Sequence, residues 1–359
     1  MPPIAFLAIA EAQQLYHWLP AALCLAEKFG APVSILSPSP ALLDLVRSYD
    51  SGAKLDLIPL RRPTWRDDSL FRLPSRLATL ATNYRTIAHF PLLVTTEISS
   101  GWLRMIPGFS SRMILIKHGA GDRAGGYKAR HAAFDLTLVA GEKDRQRLIE
   151  QGLCTSENCA VVGYGKFELM APPQRFFDND DPVILYNPHF DPQLSSWRTH
   201  GPEILRALEA LAGYNVIIAP HTKMARKTAP IRSDAPHIRV DMGSRHSIDM
   251  SYTNSADIYL GDVSSQVYEF LLRPRPCAFF NLDHRNYRDD PHFSHWNLGQ
   301  VVEDIADLPP ALDRAVREQP DFAEAQRQAV KWSIDEGREP ASRRQAEAIL
   351  SFARTNDPA

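Results

Sequence analysis

Apolar runs alternate with stretches whose apolar positions recur every three or four residues along most of this chain. The runs predict strands over 4–10, 33–37, 55–60, 92–96, 113–117, 136–140 and 160–163, with helices over 13–29, 41–49, 74–89 and 142–151 between them. The pattern resumes with strands over 183–187, 216–219, 238–241, 258–260 and 277–281, and helices over 202–212, 248–254 and 265–273. Continuous apolar strands separated by helices are the mark of parallel sheets covered on both faces. Between the two series, the stretch APPQRFFDNDD at 171–181 has linker composition. From 321 to 356 strand character is absent, and two helices split near 337–340; charge dominates the second, which predicts a surface helix. The expectation is an α/β chain of two Rossmann-like domains whose parallel sheets face across a cleft. The first domain spans 1–172 and the second 180–320. The helices of 321–359 are free to pack back on the first. Ligands of open α/β sheets bind outside the carboxyl ends of the strands, so the chemistry is sought there.

Composition narrows the class. The 359 residues are 44% hydrophobic and 23% charged, which is ordinary for a globular protein. A formal net charge of −2 argues against a nucleic-acid partner. Local basic groups remain, with Arg61, Arg62 and Arg66 around Trp65, and Arg123, Lys128 and Arg130 after a glycine cluster. The second group suits either phosphate or solvent. Cys24, Cys154, Cys159 and Cys277 show no metal-ligand spacing, and no HExxH or comparable pattern occurs, so no metal and no resident cofactor are expected. The N-terminal apolar run lacks a basic leader and is too short to span a bilayer, which makes the cytoplasm the expected compartment. Oligomeric state is not legible.

Polar residues gather at the predicted strand ends. After 258–260 comes GDVSSQVYEF, a small turn with two hydroxyls leading into a helix. A helix start presents unpaired N–H groups that can hold a phosphate, with Ser264 and Ser265 as further donors and Gly261 allowing close approach. Glu269, one turn on, can accept from a ribose diol. Ser264 serves equally as an ordinary helix cap, and the local sequence does not choose. After 113–117 come His118 and Asp122 among Gly119, Gly121, Gly125 and Gly126. A histidine there can take a proton near neutral pH, and Asp122 can orient it or bind substrate. After 216–219 come His221, Thr222 and Lys223, a set of donors for an anion. Asn187 and His189 end the strand at 183–187. No GxGxxG follows the first strand, and neither a P-loop nor a GxSxG elbow is present.

Four segments together resemble the CDP-glycerol glycerophosphotransferase family, the teichoic-acid-polymerase type of GT-B enzyme. They are KHGAGD at 117–122, VILYNPHFD at 183–191, APHT at 219–222 and GDVSSQVYEFLLRPRPCAFFNLD at 261–283. The resemblance implies His118 as catalytic base and His221 as stabiliser of the leaving phosphate. It implies Ser264 and Ser265 as diphosphate ligands and Glu269 as the ribose ligand. Asp122 joins the catalytic set, and Thr222, Asn187 and Gly261 join the donor-binding set. Departures from the family pattern are Lys117 before the His-Gly pair, Ala120-Gly121 after it, and Thr222 after the Pro-His pair.

The implied activity is a metal-independent transferase moving a glycerophosphate-type or glycosyl group from a CDP- or UDP-linked donor. The acceptor is a hydroxyl of a saccharide, polyol or lipid-linked molecule in cell-surface glycopolymer synthesis, with peripheral contact at the inner membrane face left open. Alternatives are a GT-B glycosyltransferase using a UDP-, GDP- or CMP-sugar, a UDP-GlcNAc 2-epimerase-like enzyme, and a non-catalytic sugar-nucleotide-binding protein.

Overall fold

The computed structural model describes residues 1–63, 73–224 and 229–355; Trp65 and Arg66 lie outside them. The chain forms two compact units. The first is Met1–His118, Tyr127–Leu169 and Trp332–Ala359, and the second is Gly119–Gly126 and Met170–Lys331.

The first unit is built on a seven-stranded sheet in the order β3-β2-β1-β4-β5-β6-β7. Its strands are β1 (Ile4–Leu7), β2 (Val33–Ser37), β3 (Asp56–Pro59), β4 (Leu92–Thr95), β5 (Arg112–Ile116), β6 (Leu136–Val139) and β7 (Cys159–Val161). Every pairing is parallel. The buried Val, Ile and Leu side chains of the central strands explain this, because both faces of a parallel sheet are covered. The second unit carries a six-stranded parallel sheet in the order β10-β9-β8-β11-β12-β13. Its strands are β8 (Val183–Asn187), β9 (Asn215–Ile218), β10 (Ile238–Val240), β11 (Ile258–Gly261), β12 (Cys277–Phe280) and β13 (Gln300–Val302). In each sheet the strand order reverses once, beside β1 in the first and beside β8 in the second.

Strand β13 is absent from the periodicity reading, because three residues are too few to show a period. Its approach to β12 depends on Gly299, where an added Cβ would lie 2.3 Å from the Cys277 carbonyl oxygen. The helix expected over 265–273 is only Gln266–Phe270. Pro274 disfavours helical backbone at Arg273, and the Arg275 guanidinium Nε donates to the Phe270 carbonyl at 3.2 Å, closing the helix early. The helix expected from 202 starts earlier, as Ser196–Glu209, with Pro202 inside it.

The last helix, Ala341–Arg354, is not merely a surface element. Ala346, Ile349, Leu350 and Ala353 recur at helical spacing and are buried, and the helix packs on helix Leu15–Phe29. Burying Ile349 and Leu350 stabilises by about 1.5–3 kcal/mol each. Charged residues occupy the other face, which is why a simple charge count misreads it. Among the described residues no helix is long and apolar enough to cross a membrane.

Candidate active site

At the switch point of the first sheet, polar side chains converge from the ends of β1, β4 and β5. His118, two residues past β5, is half-buried. Its Nδ1 lies 2.8 Å from the Thr96 carbonyl oxygen. A carbonyl only accepts, so Nδ1 carries the proton and Nε2 of the neutral ring presents a lone pair. Gln14 Nε2 lies 3.3 Å from that Nε2, and Gln14 Oε1 accepts from Thr96 Oγ1 at 2.7 Å. Thr96 therefore fixes both the tautomer of His118 and the orientation of the amide facing it. Beyond Gln14, Arg76 pairs with both Glu11 and Glu97, the latter at 2.9 Å. His17 packs edge-on against Tyr164 with ring centroids 4.8 Å apart, and its ring centroid is 6.2 Å from that of His118. Burial, with Lys166, His118 and Lys117 nearby, pushes His17 well below its ordinary value, so it stays neutral.

The second unit's switch point is built differently. Ser264 is buried and Ser265 half-buried, both between β11 and helix Gln266–Phe270. Ser264 Oγ accepts from Gln266 N at 3.2 Å, closing the turn just before the helix, whose N-cap position is Ser265. The glycines after His118 close onto Ser265. A Cβ added at Gly119 would lie 2.8 Å from Ser265 Oγ, and one at Gly121 would lie 3.0 Å from Ser265 Cβ. Gly119 also has φ +72°, a conformation that glycine alone adopts freely. Gly261 ends β11, where a Cβ would lie 2.7 Å from the Tyr259 ring, so its role is packing at the strand end. Asn187 stitches neighbouring strand ends, donating to the Ala219 carbonyl at 2.7 Å and accepting from Tyr259 Oη at 3.4 Å. Glu269 and Thr222 are buried. His221 Nδ1 accepts from Lys223 N at 3.2 Å, which leaves the ring proton on Nε2 of the neutral ring.

Asp122 lies among these residues as an anchor. Its Oδ2 accepts from Tyr268 Oη at 2.7 Å, His295 N at 3.2 Å and His295 Nδ1 at 2.9 Å. The other ring nitrogen of His295 lies 3.1 Å from the Asp262 carbonyl oxygen. Both ring nitrogens thus face oxygen atoms, one of them the Asp122 carboxylate. Asp262 is buried in turn, and its Oδ2 accepts from His189 N at 2.8 Å and Ser196 N at 3.0 Å. Its Oδ1 has no hydrogen-bond partner among the described residues. Burial pushes the Asp262 carboxyl up to about 6 against those hydrogen bonds.

Around Phe190 meet residues that the sequence names only separately, Arg123 as a group for phosphate or solvent and Lys223 as an anion donor. The Arg123 guanidinium carbon is 5.1 Å from the ring centroid and Lys223 Nζ is 4.8 Å from it. The rings of Phe190 and His221 are 4.6 Å apart. Burial pushes His189 well below its ordinary value, helped by His221, Arg123, Lys223 and His295, so it remains neutral. The only sequence signal for this set was the basic character of Arg123 and Lys223, which said nothing of their meeting. Among the described residues, no group of three or more His, Cys, Asp or Glu is placed to hold a metal ion.

Residues 177–349 match the family model described as CDP-glycerol:poly(glycerophosphate) glycerophosphotransferase. The match covers three of the four segments that carry the resemblance, 183–191, 219–222 and 261–283, while 117–122 lies outside it. The chain is a transferase.

Solved structures similar to this transferase share its GT-B fold at low identity. The wall teichoic acid polymerase TagF, in a structure soaked with CDPG, has a TM-score of 0.62 and 12% identity, covering 99% of this chain and 89% of that one. The S. aureus MnaA–UDP co-structure has a TM-score of 0.66 and 13% identity, covering 100% and 99%. Arabidopsis thaliana UGT89C1 complexed with UDP has a TM-score of 0.63 and 14% identity, covering 98% and 100%. Among curated proteins none matches the transferase in sequence.

Proposed function

We propose that this transferase moves a glycerophosphate-type group from a CDP-glycerol-like donor to an acceptor hydroxyl, without a resident metal or cofactor, in cell-surface glycopolymer synthesis. The observation that carries the reading is the fixed tautomer of His118, with Nδ1 bound to the Thr96 carbonyl and Nε2, which faces the Gln14 amide, as the proton acceptor. His118 takes the acceptor's proton as its oxygen attacks the distal phosphorus, a role that supplies about 10²–10⁴-fold of rate. The second unit holds the donor: Ser264, Ser265 and Thr222 supply hydroxyls, His221 Nε2–H faces the leaving phosphate, and Glu269 takes the ribose. Asn187 and Gly261 shape the strand ends beneath it, and Asp122 holds the segment that follows His118. The acceptor is a saccharide, polyol or lipid-linked hydroxyl, and the working place is the cytoplasm at the inner membrane face.

The family match over residues 177–349 supports glycerophosphate transfer over glycosyl transfer. Product analysis decides between them, because phosphotransfer releases CMP and glycosyl transfer releases a nucleoside diphosphate. Thermal-shift screening against CDP-glycerol, CDP-ribitol and UDP-, GDP- and CMP-sugars identifies the donor. A ligand at a hundred times its dissociation constant stabilises by ~2.7 kcal/mol. Failure of every nucleotide donor to stabilise the protein would end this reading.

A further inference from the structure

We infer that Arg123, working with Lys223 across the face of Phe190, is the ligand for the phosphate that departs with the nucleoside. The inference rests on the donor reading above and adds a residue that no sequence motif placed in the site. Three observations within the second unit carry it.

The first is position. Arg123 lies in the segment Gly119–Gly126, which belongs to the second unit although it follows His118 directly in the chain. Gly119 and Gly121 of the same segment pack on Ser265, so the guanidinium is delivered by the loop that touches the serine turn. The second is anchoring. Asp122, immediately before Arg123, is buried and holds Tyr268 and His295 through its carboxylate, while its carbonyl oxygen lies 2.9 Å from His292 Nδ1. A cation attached to so fixed a backbone loses little freedom when it binds an anion. The third is charge. Arg123 and Lys223 lie 5.1 and 4.8 Å from one aromatic ring, with neutral His189 and His221 beside it. The Asp191 carboxylate stands 3.7 Å from the Arg123 guanidinium, a separation too long for a tight ion pair. About a third of the Arg123 side chain remains exposed, so it can meet a ligand. Two cations on a shared aromatic platform suit a dianion, and a planar guanidinium engages phosphate oxygens in pairs.

The step balances without another reactant. The acceptor oxygen forms a bond to the distal phosphorus as the bond from that phosphorus to the bridging oxygen breaks. The bonding pair stays on the bridging oxygen, the acceptor's proton passes to His118 Nε2, and the nucleoside monophosphate leaves as a dianion. Arg123 and Lys223 meet the charge that develops on that departing phosphate, which is where fixed charges contribute most to rate.

The test uses the full chain and its Arg123→Gln and Arg123→Lys variants, with CMP, UMP and cytidine titrated by calorimetry and CMP release followed from CDP-glycerol. Arg123→Gln is expected to weaken CMP binding about tenfold and to lower kcat about 100-fold, while cytidine binds as before. Arg123→Lys should recover part of both losses, because it keeps the charge and loses the fork. If Arg123→Gln leaves CMP affinity and kcat unchanged in a wild type that binds CMP, the inference is overturned and the donor reading stands. If Arg123→Gln weakens CMP and cytidine equally with a lowered unfolding midpoint, Arg123 only supports Phe190 and the inference also falls. Wild-type protein that binds neither CMP nor UMP overturns the donor reading itself.

Discussion

The two sheets share a strand order and differ in what they carry at the point where that order reverses. In the first unit the strand ends hold His118, fixed by neutral hydrogen bonds to Thr96 and Gln14, with a salt-bridged Glu11–Arg76–Glu97 set beyond. In the second they hold hydroxyls, two cations around Phe190 and a buried His295–Asp122 pair. On the proposed reading, one end accepts a proton and the other holds an anion. Parallel α/β scaffolds fix where side chains converge but not which, so a repeated architecture can divide a reaction into two chemistries.

The largest effect should come from breaking the first end alone. His118→Ala is expected to lower turnover by about 10²–10⁴-fold while donor affinity stays near wild type. The complementary changes, Ser264→Ala and Glu269→Ala, should chiefly weaken donor binding. Rates of nucleotide release and calorimetric titration separate the two classes. A His118→Ala protein that loses the donor, beside a Ser264→Ala protein that keeps it, would invert the assignment.

Next in size is the clasp that holds the second end together. The Asp122 and His295 side chains are almost wholly buried, so neither group has water to replace its partner. Asp122→Ala takes the acceptor from the His295 ring and the Tyr268 hydroxyl and, for a buried ion pair, should cost about 3–5 kcal/mol in denaturant unfolding. His118→Ala should cost far less stability, since the His118 ring is held by neutral hydrogen bonds. A loss below about 1 kcal/mol for Asp122→Ala would mean that His295 is neutral and that the clasp is not an ion pair.

Much of this was legible in advance, for reasons that differ by residue. The strands were legible because continuous Val, Ile and Leu runs such as 113–117 suit a sheet buried on both faces, and His118 was legible because it follows such a run. For Ser264 the local sequence offers a cap or a phosphate ligand, and the structure shows its hydroxyl accepting from Gln266 N in the turn before the helix. The His295–Asp122 pair was not legible, because its partners are 173 positions apart and nothing near His295 marks it as the partner of Asp122. The meeting of Arg123 with Phe190 was likewise not legible, although Arg123 was named as a group suiting phosphate or solvent, since it depends on the glycines that pack the 119–126 segment on Ser265. Periodicity reports local backbone; the partners of a buried charge are set by topology.

Asp262 gives the smallest effect and the finest test of the second end. Its folded value of about 6 lies above the ordinary carboxylate value of about 3.9, because burial disfavours the charged form. Below about pH 4 the carboxyl is protonated in both folded and unfolded chains, and burial then costs nothing in charge. Between about pH 4 and 6 the unfolded chain releases the proton while the folded one retains it, so stability falls as pH rises through that window. Above about pH 6 the loss levels off at roughly 2–3 kcal/mol, the equivalent of a shift of about two units. Asp262→Asn keeps an oxygen for the His189 and Ser196 amides but cannot ionise, so it should remove the pH-dependent part alone. Unfolding free energies of wild type and variant, compared from pH 4 to 7, should diverge in the variant's favour by that amount. A difference that stays flat across the window would show that the Asp262 carboxylate is adequately solvated where it stands, and that no strained acid lies beneath the second end.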